Sequence, residues 1–210
     1  MNRKWLTIIF IVFLLTAAVA VIVVRRIRFA SGRLTEVKQS FQPVVVDPED
    51  PVLGQRQAAV TVITFSSFSC PACKRNADTL QQIVARYPDR VRLVWKDLPE
   101  DDASRQLALA ARCAQNQGQF WQYHDGLFAR QGNLVSGSTA LVNMAGNLGL
   151  DRDLFTVCLS EQQPLDLVER SVAEAVAANI SAVPYSEVNG TIRVEGELSL
   201  SEWQTIIEQR

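Results

Sequence analysis

Two cysteines separated by two residues, in Cys70-Pro71-Ala72-Cys73, are the side chains of this chain best suited to do chemistry. Such a pair can close into a disulfide and reopen, exchanging two electrons with the cysteines of another protein. Upstream, Val60-Thr61-Val62-Ile63-Thr64-Phe65 is rich in β-branched and aromatic residues, which predicts a buried strand. Downstream of Lys74, Ala77, Leu80, Ile83, Val84 and Tyr87 recur at helical spacing, which predicts a helix over 74–87. Unpaired N–H groups and the macrodipole at the start of that helix favour a thiolate on Cys70. Pro71 suits the first turn, where its missing N–H is not needed and its φ is already helical. Cys73, one turn deeper, would resolve a mixed disulfide. A static disulfide or half of a metal site is the competing use of the pair, and the strand-to-helix context favours redox exchange.

Two more cysteines remain, Cys113 and Cys158, on separate apolar helix faces. They read either as two inert buried thiols or as a structural disulfide. On the chain-entropy model, closing a loop of that length stabilises the fold by about 4 kcal/mol. A structural disulfide would imply an oxidising compartment. Zinc is disfavoured, because structural zinc ligands arrive as close pairs and only one such pair exists here. The single histidine, His124, lies among Phe120, Trp121, Tyr123 and Phe128 and reads as a packed helix residue. No metal and no cofactor is expected.

The elements that must position these residues occupy only part of the 210-residue chain. Net charge is −1, so nothing points to nucleic acid as a partner. Leu6–Val24 is an uncharged apolar run long enough to cross a bilayer, with Trp5 at one end and Arg25, Arg26 and Arg28 at the other. This predicts an N-terminal membrane anchor over 1–28. A cleaved signal peptide is the alternative, since Ala18-Val19-Ala20 resembles a cleavage site. The basic residues after the span would by themselves place the large domain in the cytoplasm. Cysteine usage argues for the opposite side, and the expected location is the cell membrane, single-pass, with the catalytic domain extracytoplasmic. Residues 29–46 read as a juxtamembrane linker.

Within 47–210, Val91–Trp95 predicts a second strand. A helical block over about 101–180 follows, with helices expected over 103–114, 120–129, 138–148, 151–159 and 165–179. Asn189-Gly190 between two β-prone runs predicts a type I′ hairpin. A last helix is expected over 199–210, capped by Ser199 or Ser201. The order is β-α-β, helices, β-β-α.

This order, with Asp50-Pro51-Val52-Leu53-Gly54, Cys70-Pro71-Ala72-Cys73-Lys74, Gly118-Gln119-Phe120-Trp121, His124, Leu127-Phe128 and Val183-Pro184, resembles the DsbA-like branch of the thioredoxin superfamily. The resemblance implies an α/β thioredoxin-like fold with an inserted α-helical domain, here preceded by a transmembrane helix. It also implies thiol–disulfide oxidoreductase activity, with Cys70 and Cys73 catalytic. Pro184 would be a cis-proline beside the disulfide. With Val183, Pro71 and Ala72 it would shape a groove in which the Val183 backbone pairs an extended substrate. Implied partners are reduced exported proteins and a membrane or envelope redox partner.

One departure stands out. Family members usually carry a buried carboxylate six residues before the first cysteine, and this chain has Thr64 there. Glu187, expected on the strand beside Thr64, is a candidate replacement, and a solvated strand charge is the alternative. Lys96 is a second candidate tuner near the active site, with the same alternative. The expected activity is an oxidase. A reductase or isomerase, or a membrane-anchored binding module or chaperone without turnover, are the other readings.

Overall fold

The computed structural model of the chain describes residues 43–132 and 137–210. The expected membrane span and most of the linker lie outside them. Among the described residues, no helix is long and apolar enough to cross a membrane.

A five-stranded sheet organises the domain, in the order β1-β3-β2-β4-β5. β1 is Val52–Leu53, β2 Val60–Ser66, β3 Val91–Asp97, β4 Tyr185–Val188 and β5 Ile192–Glu195. β2 and β3 run parallel and the other pairs antiparallel. Alternation along β2 explains the layers, because successive residues face opposite sides. Val60 and Val62 pack with Leu80, Ile83, Trp203 and Ile207, on helices α1 (Pro71–Arg86) and α7 (Leu200–Glu208). Ile63 and Phe65 pack with Val94, Ala175 and Tyr185 on the other face. Gly54 lets β1 approach β3, since a Cβ there would meet the Val91 carbonyl at 2.7 Å.

Between β3 and β4 come α2 (Asp102–Gln115), α3 (Phe120–Ala129), α4 (Ser138–Asn147), α5 (Arg152–Ser160) and α6 (Leu165–Ala177). The helical block expected up to about 180 divides in two. The helices α2–α5 supply most of a separate core around Leu107, Tyr123, Leu127, Leu141 and Phe155. α6 returns to cover the sheet, where Ala175 packs on the Ile63 face. The disulfide Cys113–Cys158, with a Cα–Cα distance of 5.8 Å, joins α2 to α5.

Two boundaries differ from expectation. Val44 and Val46, assigned to the linker by sequence, already pack against the Ile63 face, because they are apolar and an open sheet face is within reach. The hairpin has positive φ at both Asn189 and Gly190, as a type I′ turn requires. Val188 nevertheless pairs with Ile192, so Thr191 adds a third loop residue. Ser199 caps α7 through a capping box with Glu202.

Candidate active site

Cys70 is the N-cap of α1, held in extended geometry at φ −85° and ψ 117°. Its half-buried Sγ accepts the Cys73 N–H at 3.1 Å. The first turn of α1 carries no acidic residue, so nothing there opposes negative charge on that sulfur. On its other side the Cys70 S–H donates to the Val183 carbonyl at 3.8 Å. The Val183–Pro184 peptide bond is cis. Pro184 is buried and its carbonyl accepts the Gly196 N–H at 2.8 Å. Among the described residues, the Val183 N–H has no hydrogen-bond partner. Pro71 is exposed and Ala72 half-buried, so the short Cys-x-x-Cys turn faces outward. Both cysteines are free thiols.

Cys73 differs sharply from Cys70. It is fully buried, and burial pushes its thiol well above the ordinary range, with the neighbouring Cys70 sulfur adding to the effect. The Ser67 N–H and the Ser66 hydroxyl act in the opposite direction, since both donate to the charged form.

The β2 position of Thr64 faces the α1 side. Its Oγ1 donates to the Tyr185 carbonyl at 3.4 Å. It accepts from Asn76 Nδ2 at 3.4 Å and from Ser186 Oγ at 3.2 Å. All three side chains are buried, so a neutral hydroxyl–amide cluster stands where the family places a carboxylate. Asp97, opposite Ser66 on β3, is the buried acid on this face. It is already engaged by Trp95 Nε1 at 2.7 Å and by Arg112 Nε at 2.6 Å.

Both candidate tuners fall elsewhere. Glu187 pairs with Ile63, whereas the residue opposite Thr64 is Ser186. The pleat therefore sends Glu187 to the other face of the sheet, where its Oε2 lies 3.5 Å from Arg193 Nε. Neither a replacement for the missing carboxylate nor a solvated charge describes it, since its side chain is 1% exposed. Lys96 pairs with Phe65 and also faces away from Thr64. It is buried in ion pairs with Asp50 at 2.7 Å and Glu174 at 2.6 Å. Burial pushes the Asp50 carboxyl up, against the opposing pull of Lys96. Lys96 is thus a structural cation under α6.

His124 is enclosed by Phe68, Trp95, Phe120, Trp121 and Phe128, with the Trp95 ring centroid 4.8 Å away. Burial pushes its pKa down, partly opposed by Asp125, whose Oδ1 lies 2.8 Å from Nδ1. A groove of about 330 Å³ opens beside Val183, lined by Leu98, Pro99, Glu100, Ile180 and Ala182 among others. Sequence reasoning missed Ser186, Asn76 and Gln131. The last donates to the carbonyls of Phe68 and Cys70. The partners of all three lie 12 to 122 positions away along the chain, so no local periodicity announces them.

The comparisons with known proteins agree with this geometry. The Thioredoxin_4 family model, described as thioredoxin, matches residues 46–209. Among solved structures, a thioredoxin-like oxidoreductase from Silicibacter pomeroyi is 28% identical, with a TM-score of 0.69 over 78% of this chain and 92% of that one. Oxidised BdbD from Bacillus subtilis is 25% identical, with a TM-score of 0.71 over 80% of this chain and 95% of that one. The Na(+)/H(+) antiporter NhaA 3 of Salinispora tropica is 35% identical over 151 residues, and the match takes in 70% of this chain. The chain spans about a quarter of that relative, 23% of its length. A match over nearly the whole folded part, on a fold built around the same strand, cysteine pair and helix, places this chain in the DsbA-like thiol–disulfide oxidoreductase family of the thioredoxin superfamily.

Proposed function

We propose that the chain is a membrane-tethered, extracytoplasmic oxidase that introduces disulfides into exported proteins. The observation that carries this reading is the asymmetry of the pair. The Cys70 sulfur is accessible, lies 3.1 Å from a helix N-terminal N–H and touches the Val183 carbonyl, whereas Cys73 is fully buried.

In the proposed cycle a substrate thiolate attacks Cys70 Sγ of the closed Cys70–Cys73 disulfide. That bond breaks, and Cys73 leaves as a thiolate and takes up a proton. A second substrate thiolate then attacks the substrate sulfur of the mixed disulfide, and Cys70 leaves as a thiolate. The substrate has lost two electrons and the enzyme has gained them. Stabilising negative charge on Cys70 stabilises the reduced enzyme, which makes the closed disulfide a stronger oxidant. An envelope redox partner of the thiol-oxidase or quinone-linked class restores the disulfide.

The unpaired Val183 N–H, with the C=O that the Cys70 S–H touches, supplies a backbone edge for an extended substrate segment, and the groove beside it receives its side chains. Pro184 follows Val183 in the chain and Pro71 and Ala72 follow Cys70, so they flank this edge, while Leu98, Pro99, Glu100, Ile180 and Ala182 line the groove itself. Main-chain pairing suits a protein that must accept many unfolded sequences. The disulfide Cys113–Cys158 supports an oxidising compartment, and the apolar run Leu6–Val24 supports the tether.

Oxidised enzyme mixed with a reduced, unfolded two-cysteine protein tests the proposal. The expected result is one substrate disulfide formed per enzyme disulfide consumed, loss of activity in Cys70→Ala and, when reduced Cys73→Ala is mixed instead with the oxidised form of the same protein, a mixed disulfide trapped at Cys70. A Cys70→Ala variant that keeps full activity would favour a binding module without turnover.

A further inference from the structure

We infer that Gln131 is a positioning residue for the exchange reaction: its carboxamide grips the two carbonyls that flank the catalytic turn and so fixes the Cys70 sulfur. The inference rests on the functional reading above and adds a residue to it. Gln131 lies just past the end of α3, on the side of the helical block. Its Nε2 donates to the Phe68 carbonyl at 2.9 Å and to the Cys70 carbonyl at 3.0 Å. A primary amide carries two hydrogens, so one side chain makes both bonds at once.

The turn is weakly held otherwise. Its local hydrogen bonds are long, with Cys70 N to Ser67 O at 3.3 Å and Ser69 N to Ser67 Oγ at 3.4 Å. Phe68 is anchored at its ring, stacked on Trp95 with centroids 4.9 Å apart. The Cys70 carbonyl also accepts the Lys74 N–H at 3.2 Å, the first bond of α1 at its N-cap. Gln131 therefore acts where the loop becomes the helix. It sets the direction of the Cys70 carbonyl, and with it the place of Sγ against the Cys73 N–H and the Val183 carbonyl.

There is an electrostatic consequence. A carbonyl without a donor presents its full negative end to its surroundings. Without Gln131 the Phe68 carbonyl has no donor among the described residues and the Cys70 carbonyl keeps only the Lys74 N–H; both lie within two residues of the thiolate and disfavour it, and the Gln131 N–H groups compensate them. Gln131 thus supports the reduced, thiolate form of Cys70 and the oxidising strength of the pair.

The test uses the chain with Gln131→Met, which keeps the length without the donors, and Gln131→Glu, which keeps the shape with acceptors only. The primary readout is the equilibrium constant of the Cys70–Cys73 pair against glutathione. A net hydrogen-bond contribution predicts a shift toward the disulfide of about five-fold for Met, and more for Glu. Melting temperature serves as the structural control and is expected to move far less. Equilibrium constants within two-fold of wild type in both variants overturn the inference. Failure of wild-type enzyme to oxidise protein thiols overturns the functional reading instead, and leaves the glutathione equilibrium free to judge Gln131.

Discussion

Removing the Cys113–Cys158 bridge, as Cys113→Ala with Cys158→Ala, should weaken the fold far more than a typical double substitution. The two residues are 45 positions apart, and the chain-entropy model gives about 4 kcal/mol for a loop of that length at 25 °C. Both side chains are buried, at 1% and 4% exposure, so truncation to alanine adds about 1 kcal/mol for the space left behind. For a domain of this size, about 5 kcal/mol lowers the melting temperature by roughly 10–20 °C. Thermal melts and urea titrations of the oxidised proteins measure the loss. Exchange at Cys70 and Cys73 should persist at 25 °C, because the bridge joins α2 to α5 and neither carries the pair. A loss below about 1 kcal/mol would refute the reasoning. It would mean that apolar packing around Tyr123, Leu127 and Phe155 already restrains the helical block.

Three further outcomes follow from the buried polar groups. Lys96→Met leaves Asp50 and Glu174 without their cation and should cost about 3–5 kcal/mol in urea unfolding, with part recovered in the double variant Lys96→Met/Asp50→Asn. His124 is held neutral, so the unfolded chain binds the extra proton. Stability is fully present above the unfolded pKa of about 6.5 and falls as pH drops below it, at about 1.4 kcal/mol per pH unit while the folded ring stays neutral. His124→Phe should flatten that slope just below a pH of about 6.5, above the window in which Asp125 titrates. Thr64→Asp places an ionisable group beside Asn76 and Ser186, and quenched-flow measurement should show Cys73 resolving a mixed disulfide at least about ten-fold faster near neutral pH. An unchanged rate would show that the Thr64 cluster does not serve Cys73.

Much of the fold was legible because local periodicity and the final environment agree. The strand before Cys70, buried on both faces, was legible from its β-branched and aromatic run, and the helix after it from apolar residues at helical spacing. Glu187 and Lys96 were misplaced for two different physical reasons. In a strand the side-chain period is two, so an offset of one residue moves a group across the sheet. Ser186, and not Glu187, therefore meets Thr64. Lys96 looks like a solvated strand-end cation until α6, far along the chain, returns with Glu174 to bury it. Local sequence cannot announce a cover supplied by a distant helix. Val44 and Val46 joined the domain for a similar reason, through an exposed sheet face that needed covering.

The reduction potential of the Cys70–Cys73 couple, measured against glutathione in the full chain, tests the central claim most directly. A reduced state supported at the Cys70 sulfur by the α1 N-terminus and the Cys73 N–H predicts a strongly oxidising couple, nearer the about −120 mV of DsbA than the glutaredoxins. A value near that of thioredoxin, about −270 mV, would contradict it and assign the chain to disulfide reduction.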